Sequence, residues 1–155
     1  MGGPLIRRAS TADAAALAAV HHRARETAMP WLPVLHSPSE TTTWFEHVVL
    51  PAQVVTVAEE DGRVVALSAV ADGWLEQLYV DPPAQGRGLG RALLGAARAA
   101  HPDGLRLHVF ARNARARSFY ETAGFALVAV GDGAANEERE PDCTYAWPAP
   151  SGQRR

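Results

Sequence analysis

Apolar residues run together or alternate at seven places along the chain, and turn residues bound each run. Residues 5–9 read as a short first strand. Val54–Glu60 and residues 63–70 flank Asp61-Gly62, a dipeptide suited to a tight hairpin. Asp72-Gly73 leads in the same way to Trp74–Val80, which Asp81-Pro82-Pro83 ends. Leu105–Phe110 alternates, and residues 125–130 and 143–147 are the last strands.

Helical period intervenes four times. Ser10-x-x-Asp13 is a capping-box-like start for an Ala-rich helix to about Thr27. Pro30 and Pro33 then leave residues 31–36 as a loop. Ser37-x-x-Glu40, with Pro38 at the first helical position, starts a second helix through about Val49. Leu89, Leu93, Ala96, Ala97 and Ala100 fall on one side of a third. Residues 113–123 form a fourth, stopped by Gly124. These elements predict a single α+β domain over residues 1–147, with 148–155 as a disordered tail.

Between the Trp74–Val80 strand and the third helix lies Gln85-Gly86-Arg87-Gly88-Leu89-Gly90. Glycine lets a backbone approach closely, and the first N–H groups of a helix have no intrahelical partner. Such a strand, turn and helix start suit a phosphate or pyrophosphate, although a plain strand-to-helix reversal uses the same glycines. Two other phosphate loops fail. A dinucleotide fingerprint needs Gly-x-Gly-x-x-Gly, but Arg91 stands three beyond Gly88 and Leu93 three beyond Gly90. A P-loop needs Gly-Lys, and the chain has no lysine.

Composition narrows the class. The 155 residues are 47% hydrophobic and 21% charged, as in a soluble globular domain. No apolar run approaches the roughly 20 residues of a membrane span, and the first residues lack the apolar stretch of a signal peptide. The single cysteine, Cys143, allows no internal disulfide, so a cytoplasmic setting is expected. A net charge of −2 argues against bulk nucleic-acid binding. Yet seven of the fifteen arginines (Arg87, Arg91, Arg98, Arg106, Arg112, Arg115, Arg117) lie between 85 and 117, where Asp103 is the only acid. Solvated helix faces account for such residues, and so does a polyphosphorylated ligand.

On the fourth helix Asn113 and Tyr120 are seven residues apart and share a face, while Ala116, Phe119 and Ala123 take an adjacent, core-packing one. Singly, Asn113 reads as a helix cap and Tyr120 as a core aromatic with a wet tip. Leu78-Tyr-Val-x-Pro82, Gln85-x-x-Gly88-x-Gly90 and Asn113-x-x-Ala116-x-x-Phe119-Tyr120-x-x-x-Gly124-Phe125, in that order, resemble the GNAT superfamily of acyl-CoA-dependent N-acyltransferases. The resemblance covers about residues 5–147. It implies a mixed, mostly antiparallel seven-stranded sheet with about four helices on both faces.

The resemblance also implies a site. Gln85, Gly86, Arg87, Gly88, Leu89, Gly90 and Arg91 would hold the pyrophosphate of acetyl-CoA. The backbone of Leu78, Tyr79 and Val80 would pair with the pantetheine arm, which Asn113 would also bond. Tyr120 would sit near the thioester sulfur as the acid. Transfer of the acetyl group to a primary amine of a small molecule or peptide, by direct attack in a ternary complex, is the implied reaction. An acyl-CoA-binding sensor without turnover is the rival.

An amine of pKa about 10.4 is roughly 0.1% or less neutral at pH 7, so a base is needed. Glu76 is the candidate, because a carboxylate inside an apolar strand is costly unless paired or functional. Simple alternation puts it on the face of Leu78 and Val80, and a β-bulge would re-aim it. A backbone N–H of residues 78–80 would meet the oxyanion. Trp31, His36 and Trp74 are expected on the acceptor side. Glu137, Glu138 and Glu140 would draw in a cationic amine, or simply form a solvated turn. His36 has no second metal ligand at a fitting spacing, so no metal is expected. Cys143 sits in an apolar run without an activating neighbour. The acceptor itself, and the choice between monomer and homodimer, are not legible.

Overall fold

The computed structural model describes residues 3–150. Seven strands form one sheet in the order β1-β2-β3-β4-β5-β7-β6. They are β1 (Leu5–Arg8), β2 (Val54–Glu60), β3 (Arg63–Ala71), β4 (Trp74–Val80), β5 (Leu105–Phe110), β6 (Ala126–Gly131) and β7 (Asp142–Trp147). Every neighbouring pair is antiparallel except β4 and β5. The β2–β3 and β3–β4 hairpins turn on Asp61-Gly62 and Asp72-Gly73, whose φ angles run from 52° to 80°. Two successive positive φ values define the tight turn that matches strand twist, and aspartate with glycine tolerates them.

The helices divide between the faces. Helix α1 (Ala14–Ala28) enters through a 3₁₀ turn whose Ser10 N–H donates to Asp13. Its Leu17 and Val20 are fully buried with Phe45 and Val49, against Val55, Val57 and Leu67 of the sheet. Phe45 and Val49 belong to a second helical segment: α2 (Pro38–Trp44), a π turn (Phe45–Val49) and α3 (Leu50–Ala52). The widened turn ends beside Pro51, whose ring would collide with a carbonyl in a regular helix.

On the other face lie α4 (Leu89–Ala100) and α5 (Ala114–Thr122). The buried residues of α4 are Leu89, Leu93, Leu94 and Ala97, whereas Ala96 and Ala100 are exposed. The predicted stripe is displaced because α4 serves two clusters. Leu89 and Leu93 meet the β2–β4 side, and Leu94 turns toward Tyr120 and Phe125. Ala100 lies in the last turn, past the sheet. Strands and helices end at Trp147, and 151–155 of the expected tail lie outside the described residues.

One buried charge fixes α1 over the end of β4. Asp81 is 3% exposed and accepts a forked pair from Arg23 Nε and Nη2, at 2.8 and 2.9 Å. Its own N–H donates to Val65 O at 2.8 Å. Arg23→Met would strand the carboxylate, and hydrogen bonds to charged groups are worth about 1.5–3 kcal/mol. A loss of about 2 kcal/mol in urea unfolding is therefore expected. Asp81→Asn should cost less, because the charge it leaves without a partner, the Arg23 guanidinium, is half exposed to water.

Candidate active site

Strands β4 and β5 share one ladder position, Trp74 with Arg106. The Arg106 N–H also donates to Gly73 O at 2.9 Å. Beyond that point the two strands part. Pairing of β4 to β3 continues to Val80, and pairing of β5 to β7 continues to Phe110. The inner edges that face each other across the gap have no ladder. A cavity of about 320 Å³ occupies the opening, bordered by Leu78, Asn113, Ala116 and Tyr120 among others.

The Gly-rich loop stands at one end of this opening. Gly86 and Gly88 both have φ of 82°, and a Cβ built on either meets nothing within 4 Å. Gly88 caps α4 in the left-handed conformation. The amides of residues 86–91 donate to no backbone acceptor outside the helix among the described residues. They form an exposed set of donors at a helix start, which favours an anion. Gln85 Nε2 donates to Val80 O at 3.0 Å and ties the loop to the strand end. The Arg87 guanidinium pairs with Glu60 (2.8 Å), so its side chain is directed to the tip of β2. Gly90 lies close to Val80 and Phe119, at 3.6 and 3.7 Å from its Cβ position. It packs where Gly86 and Gly88 are open.

Helix α5 supplies the far lip. Asn113 Oδ1 accepts the Ala116 N–H at 3.2 Å and so caps the helix, and both Asn113 and Tyr120 border the cavity. Tyr120 is 8% exposed, packed edge-on to Phe119 and Phe125. Burial, with Tyr79 nearby, pushes its phenol well above the ordinary tyrosine value. It stays protonated at neutral pH. Arg117 Nε donates to the Tyr145 hydroxyl (3.0 Å), which donates to Glu121 (2.6 Å), and this chain clamps α5 onto β7.

A larger cavity, about 770 Å³, opens on the opposite face between α1, the 29–37 loop, α2 and the 132–141 loop. The two cavities share Met29, Glu76, Tyr79, His108 and Phe110. Glu76 reaches this junction through a bulge. Ala69 pairs with Gln77 and Val70 with Leu75, so Glu76 is the extra residue. Leu75 and Leu78 then pack in one cluster although simple alternation would separate them. Glu76 is exposed and makes no ion pair among the described residues.

The other expected acceptor residues divide into walls and buttresses. Trp31 packs edge-on to Phe110, with the Arg112 guanidinium 4.3 Å above its ring. Trp74 stacks on His108 at 4.7 Å. Neither Trp31 nor Trp74 lines a cavity. His36 pairs with Glu137 at the rim (3.0 Å), Glu138 with Arg25 (3.0 Å) and Glu140 with Arg112 (3.8 Å). The acidic turn is thus distributed over two guanidiniums and an imidazole. Among the seven clustered arginines, Arg98 donates to Ala123 O under Trp147, and Arg117 and Arg112 are engaged as above. Their roles are structural.

Sequence reasoning did not find His21, Arg25, Thr41, Trp44 and His108. His21 and Arg25 are four apart on α1, so they share a face. That polar pair on an Ala-rich helix was the available signal. Arg25 donates to Tyr79 Oη at 3.1 Å and to Glu138 at 3.0 Å. The His21 ring meets Tyr79 at 5.1 Å, and its buried Nδ1 has no partner among the described residues. Burial first, then the cation of Arg25, lowers its pKa from 6.5 to about 3. His22 is bonded to the Thr41 hydroxyl at 2.8 Å.

This sheet, parted between its fourth and fifth strands, is the GNAT fold. The acetyltransferase YncA of Salmonella typhimurium, solved with its cofactor acetyl-CoA, superposes with a TM-score of 0.70 at 24% identity, over 94% of this chain and 93% of that one. The acetyltransferase (GNAT) domain family matches residues 51–127, the stretch that holds β4, the Gly-rich loop, β5 and α5. It is 41% identical to the mycothiol acetyltransferase of Beutenbergia cavernae, over 59% of this chain and 33% of that protein. It is 35% identical to the peptidyl-lysine N-acetyltransferase YiaC of Escherichia coli, over 59% of this chain and 62% of that one. The chain thus spans less than two thirds of these curated relatives.

His21 gives a pH prediction. Its folded pKa lies below its unfolded value, so the unfolded chain binds the extra proton and stability falls as pH drops below about 6.5 toward about 3. One pKa unit is worth about 1.36 kcal/mol. Between pH 6.5 and 5 the wild type should lose up to about 2 kcal/mol through this group. Urea midpoints of His21→Phe should be flatter over the same interval.

Proposed function

We propose that this chain is an acetyl-CoA-dependent N-acetyltransferase that acts on a primary amine by direct attack in a ternary complex. The observation that carries this reading is the opening between β4 and β5, with free amides at one end and a buried phenol beside it. The residues fit CoA by three independent tests. Open space lies above Gly86 and Gly88 where a pyrophosphate would rest. The unpaired edge of β4 at residues 78–80 offers strand-like hydrogen bonds to the amides of a pantetheine arm. The narrower cavity passes Asn113 and ends at Tyr120. Bound acetyl-CoA supplies an activated acetyl thioester.

The chain's own groups then act on both sides of that carbon. Amides of β4 orient the carbonyl and stabilise its developing charge. The Tyr120 hydroxyl gives its proton to the departing sulfur, a task for which burial keeps it protonated. The amine approaches from the larger cavity. That cavity is lined by Glu26, Glu40, Glu76, Glu137 and Glu138 against the single guanidinium of Arg25, a balance that favours a cationic acceptor. Glu76, at the junction, holds the incoming ammonium or takes its proton. No helix among the described residues is long and apolar enough to cross a membrane.

Calorimetry with CoA and thiol release from acetyl-CoA with an amine panel test this reading. Tyr120→Phe should lower kcat about 100-fold and leave the CoA Kd unchanged. Gly88→Ala places a methyl in the space above the amides, at a φ that costs about 1–2 kcal/mol. The CoA Kd should rise about tenfold, a free energy of about 1.4 kcal/mol. Gly90→Ala meets only ordinary contacts and should bind within about twofold. CoA binding without thiol release from any amine would overturn the enzymatic reading.

A further inference from the structure

We infer that His108 is the group that accepts the proton of the attacking amine, with Glu76 facing it across the parted strands as the ammonium's anchor. The inference rests on the acetyl-transfer reading above and assigns its missing base. Register carries it. Trp74 and Arg106 are the last paired positions of β4 and β5, and Glu76 and His108 stand two residues beyond them, one on each lip. Both border the acceptor cavity and the narrow cavity that holds Tyr120. Of the five residues the cavities share, only these two carry a carboxylate or an imidazole.

The surroundings suit an imidazole base. Nδ1 lies 3.1 Å from the Thr144 hydroxyl. With Nδ1–H donating there, the lone pair is left on Nε2. The Trp74 indole stacks on the ring at 4.7 Å with planes 24° apart, which holds its orientation. Around it stand Glu76 and Tyr79 on β4, Asp142 on β7 and Tyr120 on α5, with Arg25 and Glu138 across the larger cavity. Arg106 precedes it on its own strand. A base works best when its pKa is near the working pH, and an ordinary imidazole (about 6.5) meets this better than a carboxylate (about 4.3).

The step balances. The ammonium held at Glu76 first loses one proton to solvent; the freed lone pair then forms the C–N bond, and the C–S bond breaks with its electrons on sulfur. One N–H proton passes to His108 Nε2, and sulfur takes the Tyr120 proton. Solvent then returns the proton from imidazolium to phenolate.

The test is the pH profile of kcat/KM for wild type, His108→Gln and Glu76→Gln. The acceptors are n-butylamine, 1,4-diaminobutane and a tripeptide with a free α-amine, with hydrolysis by water as a fourth arm. In whichever arm the wild type releases thiol, His108→Gln should lower kcat about 100-fold. It should also remove the acid limb of the profile and leave the CoA Kd within twofold. Glu76→Gln should keep that limb and raise the amine KM. An active wild type whose limb survives in His108→Gln, or moves with Glu76→Gln, overturns the role of His108 alone. A wild type that binds CoA and releases no thiol in any arm overturns both readings.

Discussion

A parallel pair of strands in the middle of this sheet holds a single ladder position, and the backbone beyond it on both sides goes without a strand partner. Interior strand edges of this kind are costly, because each buried N–H and C=O needs a hydrogen bond. The arrangement persists because the two halves of the sheet are complete in themselves. Antiparallel hairpins join β1 through β4, and β5, β7 and β6 form a second antiparallel set. Helices bridge the halves: Leu94 of α4 packs with Tyr120 of α5, Phe119 meets Gly90, and Arg98 bonds the carbonyl of Ala123. The gap is therefore held open by its own walls, and an extended amide-bearing arm is the natural way to satisfy it.

The same bracing explains where charge is buried. Arg23 and Asp81 lock α1 to the end of β4, where the chain enters the Gly-rich loop. Arg25, two residues on and so on a different side of α1, joins the Tyr79 hydroxyl to Glu138 and ties α1 to the 132–141 loop. His36 and Glu137 repeat that connection at the rim. Neither loop is held by apolar packing alone. The larger cavity is thus rimmed by charged and polar pairs, whereas the α5 side of the gap is covered by Tyr120, Phe119 and Phe125. One side is wet and acidic, and the other is dry.

Much of this was legible in the residues themselves. Asp61-Gly62 and Asp72-Gly73 specify their turns through φ alone, so the hairpins and the strand order around them follow from local chemistry. Gly86 and Gly88 were readable as a cradle for the same reason. Asn113 caps α5, as its place at the helix start suggests, and it also borders the cavity. The acceptor wall was different. His21, Arg25 and Trp44 lie on two helices whose relative placement depends on packing across more than twenty residues. No local pattern distinguishes a polar face over a cavity from one in water. His108 was hidden by alternation itself, since every second residue of β5 looks outward, and only the parting of the strands makes that face a site. The stripe on α4 failed at Ala96 and Ala100 because a methyl carries too little apolar surface to choose a face.

The division between wet and dry faces bears directly on the proposed chemistry. On the proposed reading the amine comes from the larger cavity and the departing sulfur lies beside Tyr120, so proton acceptor and proton donor stand in differently hydrated surroundings. A phenol in an apolar pocket keeps its proton until sulfur demands it, because the phenolate is poorly solvated there. An imidazole on the acidic side gains from each nearby carboxylate when it becomes charged, so the burden of the new cation falls where solvent and Glu76 can share it. Interchanging the two environments would weaken both groups at once. The bulge at Glu76 is the local device that brings this carboxylate to the junction of the two cavities, and it sits where the strands begin to part.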